Sequence, residues 1–266
     1  MDTLVVSQLF IYPIKSLGGI AVSESIVLPK GLEYDRRWML IDDANRFLTQ
    51  REHAAMALFT TSQNIELNSF LVHYQGQAIS IPANPMGECM SAKVWDSEVE
   101  VMEVQPEISQ WFSLRLKQAV RLVFFPENHT RSIDPEYALN NENNTSLSDG
   151  YPILIAGQAS LDDLNTRLET PVSMDRFRPN IVFTGGSPYE EDGWKEFSIG
   201  NVRMMGVKPC ARCLVTTIDQ QSGVGGKEPL ATLSKYRKVG NKVLFGQNVI
   251  PLESGSILVG AEITLY

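Results

Sequence analysis

Short runs of β-branched and aromatic residues punctuate this chain, and they constrain its fold more than any other feature. "LVVSQLFIYPI" (4–14), "RWMLID" (37–42), "QAVRLVFFP" (118–126), "PILIAG" (152–157), "PNIVFTGG" (179–186), "CLVTTID" (213–219) and "AEITLY" (261–266) have strand lengths, most of them bounded by Gly, Pro, Asn or Asp. Several are nearly continuous apolar runs, the pattern of strands covered on both faces. Helical periodicity is rarer. "PEISQWFSLRLK" puts Ile108, Trp111 and Phe112 on one face. "ASLDDLNTRLE" predicts a helix capped by Ser160, with Asp163 three residues on and Leu161, Leu164 and Leu168 on one side. "EPLATLSKYRK" starts at Pro229 and repeats Leu230 and Leu233. The expected class is a β-rich α+β fold with a few helices packed on sheets and no repeat of 20–50 residues.

With 266 residues the chain can hold one large or two small domains. The weakest apolar patterning falls at 126–150, "PENHTRSIDPEYALNNENNTSLSDG", which reads as a long loop rich in asparagine. A boundary near it divides the chain into 1–122 and 123–266. The formal net charge of -8 argues against a nucleic-acid-binding body, which would carry a basic stripe. The first residues read as a strand rather than a signal peptide, and no run approaches the roughly 20 apolar residues of a membrane span. The three cysteines are an odd number, and two are too close for an ordinary structural staple, so a reducing cytoplasm is the expected compartment.

Those two cysteines, Cys210 and Cys213 in "KPCARCLVTTID", leave several chemistries open. A redox dithiol sits where a strand passes into a helix, whereas "LVTTID" has β character. A closed zinc site needs four ligands, and only Cys89 and the scattered His53, His73 and His129 remain. Burial as small hydrophobes suits Cys89, and Cys210 to a lesser degree. Cys213 fits that description less well: Lys208 and Arg212 stand near it, and cations favour the thiolate that a soft metal binds. "SGVGGKEP" fails as a phosphate loop, because Gln221 replaces the first glycine and Glu228 follows Lys227. The acids of "YEEDGW" lack the alternation of a calcium loop.

Cationic residues recur where apolar strands begin or end. Lys15 and Ser16 follow one strand, Arg36 and Arg37 precede another, and Arg178 and Asn180 precede a third. Each alone reads as a surface charge; together they could clamp a phosphate, Arg through its fork and Lys as a point charge.

"YPIKS", "DRRWMLID", "PILIAGQASLDDLN", "FRPNIVFTGG", "DGWKEFSIG", "CARCLVTTID" and "KEPLATLSKYR", in that order, resemble the MOSC family, the molybdenum-cofactor sulfurase C-terminal domains, among them the amidoxime-reducing components and bacterial reductases of N-hydroxylated compounds. The resemblance runs from about residue 8 to the C-terminus. It implies a MOSC β-barrel, an N-terminal MOSC-associated β region, and a molybdenum cofactor (Mo-molybdopterin) between them. It makes Cys213 the metal ligand and Cys210 a bystander. Lys15, Ser16, Arg36, Arg178 and Asn180 fall on positions that hold the pterin and its phosphate, and Ala211 and Arg212 on positions that line it. Asp149 takes a catalytic place, in proton handling; Arg37 and Lys208 are weaker candidates. The implied activity is reduction of small N-hydroxylated substrates such as hydroxylaminopurines or amidoximes, independent of pyridoxal phosphate. No ferredoxin cysteines and no membrane anchor are expected, so electrons would come from a separate flavin or iron–sulfur reductase. A sulfur carrier using a Cys213 persulfide, or a non-catalytic cofactor-binding module, are the alternatives.

Overall fold

The structure is a computed structural model, and it describes residues 3–138 and 143–266. Met1, Asp2 and part of the asparagine run (Asn140 and Asn141) lie outside the described residues. Nine strands form the main sheet. Along it stand Ile20–Val22, Val5–Ile11, Ile181–Thr184, Ile153–Gly157, Lys242–Pro251, Val202–Arg212, Glu196–Ile199 and Ile263–Leu265, with Lys238–Val239 paired off this path to Lys242–Pro251. All neighbours are antiparallel except Ile153–Gly157 and Ile181–Thr184, whose parallel pairing is allowed by the crossover helix Gln158–Asn165 between them. The ladder itself does not close into a barrel. Its ends approach at one bridge, Val5 to Glu262, with the Ile263 amide donating to the Leu4 carbonyl at 2.9 Å.

Residues 38–124 build smaller antiparallel sheets against this one. Trp38–Ile41 pairs with Arg121–Phe124, which continues through Ser97–Glu103 to Cys89–Val94. Thr60–Asn64, Ser69–Tyr74 and Gln77–Pro82 make a separate meander. The largest core cluster joins both regions: Leu9, Ile14, Trp38, Phe59, Phe70, Phe112, Ile155, Phe183 and Phe197 are all within it. The helix Pro106–Leu116 buries Ile108 and Phe112 and leaves Leu114 exposed, as its periodicity requires.

Four expectations fail for local reasons. "CLVTTID" is no strand: Leu214–Thr217 is a turn of 3₁₀ helix. The Thr216 and Thr217 hydroxyls donate back to the carbonyls of Cys213 and Leu214 at 2.9 and 2.8 Å, and this local bonding overrides β propensity. Ser160 is not a cap. The helix starts after Gly157, and Ser160, fully buried inside it, donates to Glu191 at 3.0 Å. The third helix is only Leu230–Leu233, because Lys238–Val239 must turn into the hairpin with Lys242–Pro251. Cys89 is exposed on its strand rather than buried.

The 126–150 loop is tied down where it is described. Arg131–Ser132 pairs with Asn144–Thr145, and the buried Arg131 donates to the carbonyls of Ser146, Ser148 and Asp149 at 3.0, 2.6 and 3.3 Å. That arginine turns a polar segment into a fixed support for Asp149.

Candidate functional site

The strand registers bring several chain ends to one end of the main sheet. Tyr12 to Ser16 leave the Val5–Ile11 strand there, residues 177–180 lead into Ile181–Thr184, and residues 148–151 lead into Ile153–Gly157. The Val202–Arg212 strand finishes beside them. Its pairing slips between Gly206 and Lys208 and again between Pro209 and Ala211, and such bulges re-aim side chains. A cavity of about 200 Å³ lies among these ends.

Nine of the site residues carried by the family resemblance line that cavity: Lys15, Ser16, Arg36, Asp149, Arg178, Asn180, Ala211, Arg212 and Cys213. Cys210 lines it too. Arg37 does not. It is fully buried, with Nε on Glu127 Oε1 at 2.5 Å and Nη1 donating to the Asp35 carbonyl at 2.7 Å, a structural pairing. Lys208 also stays outside the lining, lying 3.9 Å from the Tyr137 ring centroid and 3.7 Å from Asp134.

The inner wall is organised by Tyr12. The guanidinium carbons of Arg36 and Arg178 each lie 4.3 Å from its ring centroid. The ring is buried, its hydroxyl donates to the Pro179 carbonyl at 3.1 Å, and burial pushes its pKa up to about 12, so it stays neutral. Arg36 pairs with Asp35 at 2.5 Å and donates to Asn180 Oδ1 at 3.1 Å. Asn180 is spent on structure: Oδ1 also accepts the Leu154 amide at 3.2 Å, and Nδ2 donates to the Phe10 carbonyl at 3.2 Å. Arg178 differs. Among the described residues its guanidinium has the Tyr12 ring and no hydrogen-bond acceptor or carboxylate. Burial, with Arg36 nearby, pulls its pKa down to about 10, which leaves it a cation at neutral pH. Arg212 donates to the Phe177 carbonyl at 2.7 Å and to Cys210 Sγ at 3.1 Å, while its buried Nε has no partner among the described residues. Ser16, Arg36 and Arg178 hold left-handed backbones, with φ of 68°, 51° and 54°, strain of the kind that collects at binding sites.

The mouth is organised by Asp149. Lys15, buried in the wall, puts Nζ 2.5 Å from Asp149 Oδ1 and 2.8 Å from the Leu147 carbonyl. Burial lowers the lysine, and the carboxylate works against that shift. Asp149 sits deep among neighbours yet keeps 61% of its side-chain surface open to the cleft. Burial alone would raise its pKa; Lys15 and Arg51, with a hydrogen bond from Trp95 Nε1 at 3.3 Å, hold it well below the usual carboxylate range instead.

Two residues at this mouth carry no signal in the sequence reading. Arg51 places Nε and Nη2 both 3.3 Å from Cys213 Sγ. Trp95, at a hairpin tip with φ of 54°, stacks on Arg51 at 4.4 Å. A tryptophan in a polar turn, "VWDSE", was the one available hint. The lining thus holds five cations, Lys15, Arg36, Arg51, Arg178 and Arg212, against one carboxylate, Asp149. Among the described residues no group of three or more His, Cys, Asp or Glu could hold a metal ion. A metal held by Cys213 would thus take its other ligands from a cofactor or solvent rather than from a cluster of described side chains.

Residues 3–119 match the family model described as the MOSC N-terminal beta barrel domain, and residues 142–264 the one described as the MOSC domain. Mitochondrial amidoxime-reducing component 1 of Mus musculus is 36% identical over 281 aligned positions, covering 98% of this chain and 82% of that protein. Its Homo sapiens counterpart is 35% identical over 278, with the same coverage of 98% and 82%. Molybdenum cofactor sulfurase of Oryza sativa subsp. japonica is 30% identical over 265, covering 90% of this chain and 31% of that protein.

Proposed function

The chain belongs to the MOSC-domain family, and on that premise we propose that it binds a molybdenum cofactor and reduces small N-hydroxylated compounds. The observation that carries the reading is the Cys213 sulfur in a cavity lined by five cations, in a protein whose net charge is -8. The guanidinium of Arg178 and the Nε of Arg212, which find no hydrogen-bond partner among the described residues, fit an anionic group such as a pterin phosphate. The boundary between 122 and 123 falls in the gap between the two matched stretches, which supports an N-terminal β region and a MOSC domain meeting at the site.

In this reading Cys213 is the protein's metal ligand. Arg178, Arg36 and Arg212 bind and orient the phosphate; Ser16, Asn180 and Ala211 shape the wall. A bound molybdenum cofactor supplies a centre that takes up two electrons and accepts the oxygen of the substrate. Asp149, ionised at neutral pH, accepts hydrogen bonds from substrate N–H groups; held that low it carries no proton to deliver, and the two protons the reduction consumes come from solvent. Hydroxylaminopurines and amidoximes are the proposed substrates, and a separate flavin or iron–sulfur protein is the proposed donor. A reducing compartment suits the free thiols. Two of the relatives are named mitochondrial, and among the described residues no helix is long and apolar enough to cross a membrane.

The test is metal and pterin analysis of the protein expressed with sufficient molybdenum. Near-equimolar molybdenum and pterin are expected. Correctly folded protein without either overturns the reading, and a persulfide on Cys213 in such protein favours sulfur transfer.

A further inference from the structure

We propose that Arg51 is a positioning residue for the Cys213 sulfur, acting through the direction of its two N–H groups and not through its charge alone. The inference rests on the molybdenum reading and deepens it.

Nε and Nη2 stand at the same distance from Sγ, 3.3 Å, so the guanidinium presents an edge to the sulfur, the fork that arginine otherwise offers a carboxylate. The available carboxylate receives less: Asp149 Oδ2 takes a single contact from Nη2 at 3.4 Å. The fork is also held in place. The guanidinium carbon lies 4.4 Å from the Trp95 ring centroid, and Trp95 packs edge-on against Phe47 at 4.9 Å. Trp95 Nε1 donates to the other Asp149 oxygen at 3.3 Å, so ring and carboxylate are fixed to each other as well as to Arg51. An arginine that merely covered the surface would not be restrained on three sides with 25% of its side chain exposed. Cys210 receives only one N–H, from Arg212 at 3.1 Å.

N–H donors on a ligating sulfur draw charge from it and fix its orientation, and such outer contacts tune a bound metal. The arrangement crosses the chain: Phe47, Arg51 and Trp95 come from the N-terminal half and the sulfur from the C-terminal half.

The experiment compares wild-type full-length protein with Arg51→Gln and Arg51→Lys, all expressed with sufficient molybdenum. Molybdenum, pterin, circular dichroism and the electron paramagnetic resonance signal of the partly reduced protein are measured. Both variants should keep the wild-type fold and pterin content, lose molybdenum to a chelator roughly 10–100-fold faster, and show displaced g values. Lysine keeps the charge without the fork, so it should not restore the signal. Superimposable spectra and equal retention in a loaded wild type and both variants overturn the Arg51 assignment while leaving the cofactor reading intact. Full rescue by lysine overturns the directional role. A wild-type protein empty of molybdenum overturns the cofactor reading and this inference with it. If Arg51→Gln does not fold, Arg51→Lys carries the comparison.

Discussion

The mouth of the cavity carries two cations and its inner wall three, but only the mouth balances its cations from within. Lys15 and Arg51 share the Asp149 carboxylate, and Trp95 closes the arrangement. On the inner wall Arg36 leans on Asp35, whereas among the described residues the Arg178 guanidinium meets only the Tyr12 ring that it shares with Arg36. Two like charges around one ring, with one counter-charge, cost folding energy that an incoming anion would return. The mouth is therefore complete in the free protein, and the wall is complete only with a ligand. Stability should depend on the first, binding on the second.

That contrast can be attacked most directly at the point where both regions serve the same reaction. Cys213→Ala should lower reduction of an N-hydroxylated substrate by about 100-fold or more while circular dichroism stays unchanged. Asp149→Asn should destabilise the cofactor-free protein by about 2 kcal/mol in urea titration, since it strands the buried Lys15 ammonium; water in the cleft keeps the loss below that of a sealed pair. Arg178→Gln should do the reverse. Pterin content should fall roughly tenfold with a charge-assisted contact gone, and the cofactor-free melting temperature should hold or rise. Equal destabilisation by the Asp149 and Arg178 substitutions would erase the distinction between wall and mouth.

Acid sharpens the same point. A carboxyl depressed in the folded state contributes stability that is present above its unfolded pKa and is lost as pH falls. The stability gap between wild type and Asp149→Asn should be constant near neutrality and begin to close below about pH 4. The smallest effect belongs to Cys210→Ala, whose sulfur accepts one hydrogen bond from Arg212; activity should fall less than about tenfold. A larger loss would make Cys210 a partner of Cys213.

The inner wall was legible in the sequence and half of the mouth was not, for a physical reason. Lys15, Arg36, Arg178 and Asn180 adjoin apolar strands whose pattern is strong, so their position at strand ends could be read directly. Trp95 lies in the turn between two short, half-exposed strands, and Arg51 in the irregular segment between the Trp38–Ile41 strand and the turn at Ala54–Leu58, where neither period nor composition says what a side chain faces. The misread "LVTTID" shows the converse. Its β-branched residues favour a strand, but two threonine hydroxyls bonded to local carbonyls wind it into a turn, and that turn follows directly on Cys213. Ser160 has the right chemistry for a helix cap, yet Glu191 from a distant segment claims its hydroxyl.

The order of strands in the main sheet bears on when this site can exist. Lys242–Pro251, among the last strands to be synthesised, is wedged between Ile153–Gly157 and Val202–Arg212, and its Asn248 faces the cavity. A nascent chain that has yet to emit those residues has its cysteine and its arginines but no floor beneath them. A cofactor of the proposed kind would therefore enter only after Lys242–Pro251 has been made and paired, and would meet a cavity that is already folded.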